Sequence, residues 1–283
     1  MSELSWGRHF LMCPPDYFEV SYSINPWMDT SVRVDRDRAR EQWAGLAGTL
    51  RAAGAVVDEV PAQPGLPDMV FTANAGIVDG TTYWPASMRH AERAPEIAHL
   101  CRWLAGRDWT VADPPDAVQE GAGDALPFAG TLVAGHGQRS TVDAYQQLAE
   151  RAGWTITTVE LADPRFYHVD LTFCPLDGTT ALIAPGALTA PSLERLARLV
   201  PDPVPVTVEE AAMFCANSVV VGRTVVMPAC SARLGRVLER RGFQVAVCDV
   251  SEFAKAGGGC RCLTLALDVS LAGDASTSKE VAA

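Results

Sequence analysis

The residues best equipped for chemistry in this chain are two thiols behind three glycines, in GGGCRC at 257–262, and a histidine close to an aspartate, in FYHVD at 166–170. A thiolate is both a nucleophile and a metal ligand, so Cys260 and Cys262 admit three readings: a metal clip, a disulfide, or the seat of a nucleophile. Structural zinc sites space their ligands as CxxC or HxxxH, and neither pattern occurs. A disulfide between thiols this close on an extended strand would be strained. In FYHVD, strand alternation would point His168 and Asp170 to one face, which suits a base and a neighbouring acceptor. Asp68 and Asn74 in PDMVFTANAG, with Glu120 and Asp124 in EGAGDAL, add a surplus of acceptors. Such a surplus favours a planar cation with several N–H donors, and a guanidinium fits that description. The chemistry of the set would be thiolate attack followed by proton transfer. A cationic substrate would lower the thiol pKa, and the glycines would let the backbone pass close to a bound ligand.

These residues are far apart in the chain, so a repeated architecture has to gather them. A strand, a Gly-containing turn and a second strand recur in DMVFTANAGIVDGTTYWP, EGAGDALPFAGTLVAGHG, FYHVDLTFCPLDGTTALIAPG and MFCANSVVVGRTVVMP. A helical pattern follows each hairpin, at 87–105, 141–152, 191–200 and 231–241. β-rich segments come after the later helices, as in TITTVEL, VPVTVEE and QVAVCDV. A helix at about 36–53 followed by AVVDEV makes a fifth set, whose hairpin needs GRHFLMC from the N-terminus and CLTLALDV from the C-terminus. The expected fold is therefore α/β, a five-bladed propeller of ββαβ units closed into a ring by both termini, without open sheet edges. Asp68 and Asn74, Glu120 and Asp124, His168 and Asp170, Asn217, and Cys262 all fall where a hairpin begins, so five blades would aim them at one axis.

Composition narrows the function classes. With 283 residues and 48% hydrophobic content the chain can bury a full core. One catalytic domain over 1–270 and a disordered tail over 271–283 are expected. A formal charge of −11 offers no basic face to phosphates, so nucleic acid is not an expected partner. The apolar runs are short and broken, so a membrane is not expected either, and a cytoplasmic location is. Eight cysteines without CxxC spacing read as reduced thiols, six of them buried.

MCPPDYFEVSYSINPWM, PDMVFTANAG, EGAGDAL, FYHVD and GGGCRCLT together resemble the guanidino-group-modifying superfamily, the penteins. It includes arginine deiminases, dimethylarginine dimethylaminohydrolases, amidinotransferases and cyanobacterial arginine dihydrolase domains. The resemblance implies a five-bladed α/β propeller, Cys262 as nucleophile with Cys260 a bystander, and His168 as general acid/base with Glu120 as its partner. It matches Asp170 to the deiminase His-x-Asp pair, and Asp68 and Asn74 to the segment that grips the guanidinium. Asp124 is a further substrate contact, although EGAGD is one residue longer than the usual EGGD. Arg93 and Arg139 match arginines that clasp the substrate α-carboxylate, and Asn25 an active-site residue of the dihydrolase branch. No cofactor and no metal are implied, the partner is a small guanidino substrate, and a homo-oligomer is allowed. The expected reaction gives citrulline from arginine or an N-methylated arginine. The alternatives are a dihydrolase continuing to ornithine, carbon dioxide and ammonia, or an amidinotransferase.

Overall fold

Inner strands at Gly76–Asp79, Ala125–Phe128, Phe173–Pro175, Val219–Val221 and Leu265–Ala266 each open one of five three-stranded sheets. The computed structural model describes residues 3–271. In every sheet the inner strand pairs antiparallel with a middle strand, and the middle strand pairs parallel with an outer one. A parallel pair needs a crossover, and a helix supplies it in each blade: Ala94–Ala105, Val142–Ala152, Ala190–Leu199, Ala232–Arg240 and Arg36–Ala52. Burial runs in the same order. The inner strands are almost wholly buried, whereas the outer strands, such as Val56–Glu59 and Gln244–Val247, are largely exposed.

The fifth blade is the closure that the repeat demands. Leu265–Ala266 pairs antiparallel with His9–Met12, Phe10 facing Ala266, and His9–Met12 pairs parallel with Val56–Glu59. The five-bladed α/β propeller of ββαβ units is thus the observed fold.

Three local expectations change. The first crossover helix starts at Ala94, not at 87, because Ser87 uses its backbone in a bridge to Gln119 and Pro95 favours a helix start. The second half of VPVTVEE leaves the strand for a short helix, Val208–Ala212, entered through a capping box between Thr207 and Glu210. His168 and Asp170 are not on a strand: His168 precedes a 3₁₀ turn, Val169–Leu171, so the two side chains do not share a face. Of the expected tail, residues 272–283 lie outside the described residues, and Leu271 donates its backbone N–H to Asp79. Among the described residues no helix is long and apolar enough to cross a membrane.

Candidate active site

Each blade brings its polar residues in on the tight turn that precedes its inner strand. Pro67–Val70 and Thr72–Ala75 carry Asp68 and Asn74; Gly121–Gly123 lies between Glu120 and Asp124; Val169–Leu171 carries Asp170 behind His168. Asn217 precedes Val219–Val221, and Cys262 precedes Leu265–Ala266. Neighbouring turns are tied together, the Ala73 amide donating to the Cys262 carbonyl at 3.2 Å.

The Cys262 sulfur is buried, 3.2 Å from Asn217 Nδ2 and 3.4 Å from Asp170 Oδ2. Burial, and after it the charge of Asp170, push the thiol well above its ordinary pKa. Burial likewise raises the Asp170 carboxyl to about 7, opposed chiefly by the buried Arg261 guanidinium. At rest Cys262 is a thiol, placed to donate its S–H to Asp170. All eight cysteines are free, and six are buried, Cys260 among them.

On the neighbouring turns, His168 Nε2 lies 2.7 Å from Glu120 Oε2, which also accepts from Arg139 Nη1 at 2.8 Å. Burial alone would raise the Glu120 pKa. The His168 hydrogen bond and the charges of Arg139 and Arg93 outweigh it and hold this carboxylate well below the usual range. On the other edge of the imidazole, Asn74 Nδ2 lies 3.3 Å from His168 Nδ1, while Asn74 Oδ1 accepts from Arg93 Nη1 at 2.8 Å. Arginine can only donate, so the amide oxygen must face Arg93 and its NH₂ must face the histidine. His168 Nδ1 is therefore an acceptor and Nε2 carries the hydrogen. Gly123 leaves room for this pair, because a Cβ there would lie 2.1 Å from Asn74 Nδ2 and 3.3 Å from His168 Nδ1.

The carboxylates divide into two kinds. Asp68 Oδ2 accepts from the Tyr22 hydroxyl at 3.0 Å, but Asp68 Oδ1 and Asp170 Oδ1 are buried with no hydrogen-bond partner. Asp124, expected to contact substrate, has both oxygens bonded within the protein: Oδ2 accepts from the Ser140 hydroxyl and amide at 2.7 and 3.2 Å, and Oδ1 from the Val169 amide at 3.0 Å. It braces the turn that presents His168. Arg93 is likewise committed inside the protein, forking onto Glu96 at 3.0 and 2.9 Å and reaching the Asp68 carbonyl at 3.1 Å. Arg139 bonds Glu120 and the Ile24 carbonyl, with its guanidinium 4.7 Å from the Tyr167 ring centre.

Asn25 ties its own loop to the glycine turn, donating to the Ala256 carbonyl at 3.0 Å and accepting from the Trp27 amide at 2.9 Å. The three glycines make room for protein. A Cβ on Gly257, at φ +86°, would meet Asn25 Oδ1 at 2.9 Å and the Tyr167 hydroxyl at 3.0 Å; one on Gly258 would strike the Phe71 ring, and one on Gly259 would meet Asn217 Oδ1 at 2.8 Å. Asn217 and Tyr22 are the contacts that motif reading left without a role. Asn217 occupies the place in its blade that His168 or Cys262 occupies in theirs, so the repeat itself was the signal.

Five ββαβ blades that bring a thiol, a histidine and carboxylates to their inner turns define an α/β propeller of the guanidino-group-modifying superfamily. No family model matches the chain. It is 36% identical over 258 residues to the N(G),N(G)-dimethylarginine dimethylaminohydrolase of Mycobacterium tuberculosis, covering 91% of this chain and 85% of that protein. It is 42% identical over 262 residues to the bifunctional arginine dihydrolase/ornithine cyclodeaminase AgrE of Nostoc sp., covering 90% of this chain; the chain spans 37% of AgrE's length. The product-bound N-terminal domain of ArgZ, a cyanobacterial arginine dihydrolase, superposes with TM-score 0.89 at 38% identity over 92% of this chain and 97% of that one. A variant of the same domain is covalently bound to a reaction intermediate. The chain belongs to the dimethylarginine dimethylaminohydrolase family, within the superfamily that the fold and the site define.

Proposed function

We propose that the protein hydrolyses the guanidino group of arginine or an N-methylated arginine through a covalent adduct on Cys262, with citrulline as the first product. The observation that carries this reading is the pair of unpartnered buried carboxylate oxygens, Asp68 Oδ1 and Asp170 Oδ1, in a site whose thiol touches Asp170. Buried acceptors without donors are costly, and a guanidinium brings planar N–H donors together with a positive charge. The same charge favours the thiolate over the resting thiol.

In this mechanism Nδ1 of a neutral His168, on giving up its hydrogen bond from Asn74, takes the thiol proton, and the thiolate attacks the guanidinium carbon. The imidazolium, stabilised by Glu120, returns that proton to the departing amine as the C–N bond breaks, leaving a thiouronium adduct. His168 then takes a proton from water as the oxygen adds to the same carbon; the C–S bond breaks, the sulfur takes that proton back from His168 as a thiol, and the remaining hydroxyl proton passes to solvent as citrulline leaves. General acid/base help of this kind contributes on the order of 10²–10⁴-fold.

Asn74 favours a second reading in which citrulline is processed again to ornithine, carbon dioxide and ammonia. A neutral amide offers a donor and an acceptor to a neutral ureido group, whereas a carboxylate would favour the cation. Two relatives named arginine dihydrolases, at 42% and 40% identity, support it. Product analysis with arginine, N-methylated arginine and citrulline tests both readings: turnover of none of the three refutes the guanidino assignment, and citrulline that persists with excess enzyme refutes the second.

A further inference from the structure

We infer that Asn217 is a catalytic residue of this site, the side-chain donor that stabilises the Cys262 thiolate. This rests on Cys262 being the nucleophile. Asn217 is fully buried and its amide is used at both ends. Nδ2 donates to the Cys262 sulfur at 3.2 Å and to the Asp170 carbonyl at 3.2 Å, while Oδ1 accepts from the Gly259 and Cys262 amides at 3.0 and 3.2 Å. The backbone N–H groups at Gly259 and Cys262 can only donate, so they set the amide's orientation and require NH₂ to face the sulfur.

The sulfur's surroundings show why such a donor matters. Burial disfavours a thiolate, and so does the Asp170 carboxylate on its other side. Arg261, the adjacent cation, is buried near the Trp6 ring, with its Nε unpartnered. Among the described side chains, Asn217 alone donates a hydrogen bond to Sγ. The Asn217 carbonyl also accepts the Arg261 amide at 3.2 Å, so one residue fixes the loop and polarises the sulfur it presents.

A purely structural brace and a thiolate donor predict opposite outcomes, which the alkylation of Cys262 by iodoacetamide separates without any substrate. The rate is read against pH by mass spectrometry of the Cys262 peptide in full-length protein whose fold is checked by circular dichroism. Asn217→Leu keeps the shape and removes the donor. The expected result is alkylation at least tenfold slower at pH 8, with the rise in rate moved to higher pH. An unchanged or faster rate overturns the inference, because a loosened loop would admit water and return the thiol toward its ordinary reactivity. Asn217→Ser and Asn217→Ala cover the event that the leucine variant does not fold. The serine variant, which keeps a hydroxyl donor, should alkylate faster than the alanine variant, and equal rates would overturn the assignment. Cys262→Ser retaining turnover would instead refute the nucleophile, a separate result.

Discussion

Arg93 and Asn74 share one hydrogen bond, Nη1 to Oδ1 at 2.8 Å, and it fixes which nitrogen of His168 accepts. Because Arg93 claims the amide oxygen, His168 Nδ1 meets an NH₂ group and accepts from it, which holds the ring as the Nε2–H tautomer whose Nδ1 can act as a base once that hydrogen bond is released. Arg93 is therefore a positioning residue whose guanidinium acts through Asn74.

Asn74→Asp should break this arrangement and add a negative charge near the substrate. At an effective dielectric near 20, a unit charge at about 4 Å interacts with the guanidinium by roughly 4 kcal/mol before desolvation. Arginine gains and citrulline does not. The ratio of ornithine to citrulline made from arginine should fall at least tenfold, with the first step still measurable; an unaltered ratio would separate Asn74 from product choice.

Cys262→Ser should abolish turnover with the fold intact, and Cys260→Ser should retain most of it. Cys260 is buried, with its thiol pushed well up by burial and by neighbouring Cys248 and Cys262. Steady-state assays of both variants settle the point, and the reverse pattern would exchange their roles.

His168→Ala should slow both proton transfers, by about 10²–10⁴-fold in kcat. The covalent adduct then accumulates in intact-protein mass spectra when arginine is added. A wild-type rate in this variant would assign the proton transfers to another group.

The two expected carboxylate-clasping arginines should now behave differently. Arg93→Ala leaves Glu96 and Asp68 buried beside a lost cation, and breaking such a pair destabilises by about 3–5 kcal/mol. A thermal melt should show it directly. Arg139→Ala should lower kcat as well as raise KM, because Arg139 donates to the same Glu120 oxygen that holds His168. Agmatine, which lacks the carboxylate, should be a poor substrate of the wild type.

Stability should also respond to Asp170. Its folded pKa, raised by burial to about 7, lies above the unfolded value of 3.8, so the folded state binds the extra proton between these limits. The associated stability is present below about pH 4 and is lost as pH rises through 7. Asp170→Asn should flatten the fall of Tm between pH 4 and 7. A slope identical to wild type would mean that another group carries the titration.

The periodicity of the sequence made the five blades legible, because hairpin turns such as Asp79-Gly80 and Asp177-Gly178 are local signals and each crossover helix repeats a pattern. The motifs also named His168, Glu120 and Asn74, whose side chains meet one another, and Cys262, whose sulfur meets Asp170. What they left hidden is how donors are shared. Asp124 and Asp68 are both acidic and both precede an inner strand, yet one is spent on Ser140 and Val169 and the other keeps a free oxygen. Only three-dimensional neighbours decide that. The extended reading of FYHVD failed for a related reason: the chain turns at Val169–Leu171, so that His168 bonds Glu120 while Asp170 bonds Cys262.

The pairing of Phe10 with Ala266 has a consequence in time. During synthesis the chain makes Asn74, Glu120 and His168 well before the thiol, and the strand just past Cys262 finds its partner among residues made more than 250 positions earlier, Phe10 facing Ala266. This is the longest sequence separation among the paired strands, so its loop closure costs the most entropy in the ring. The strand that follows the Cys262 turn is thus held by residues far away in sequence, and the sulfur's seat depends on that closure. Reactivity is coupled to completion of the fold.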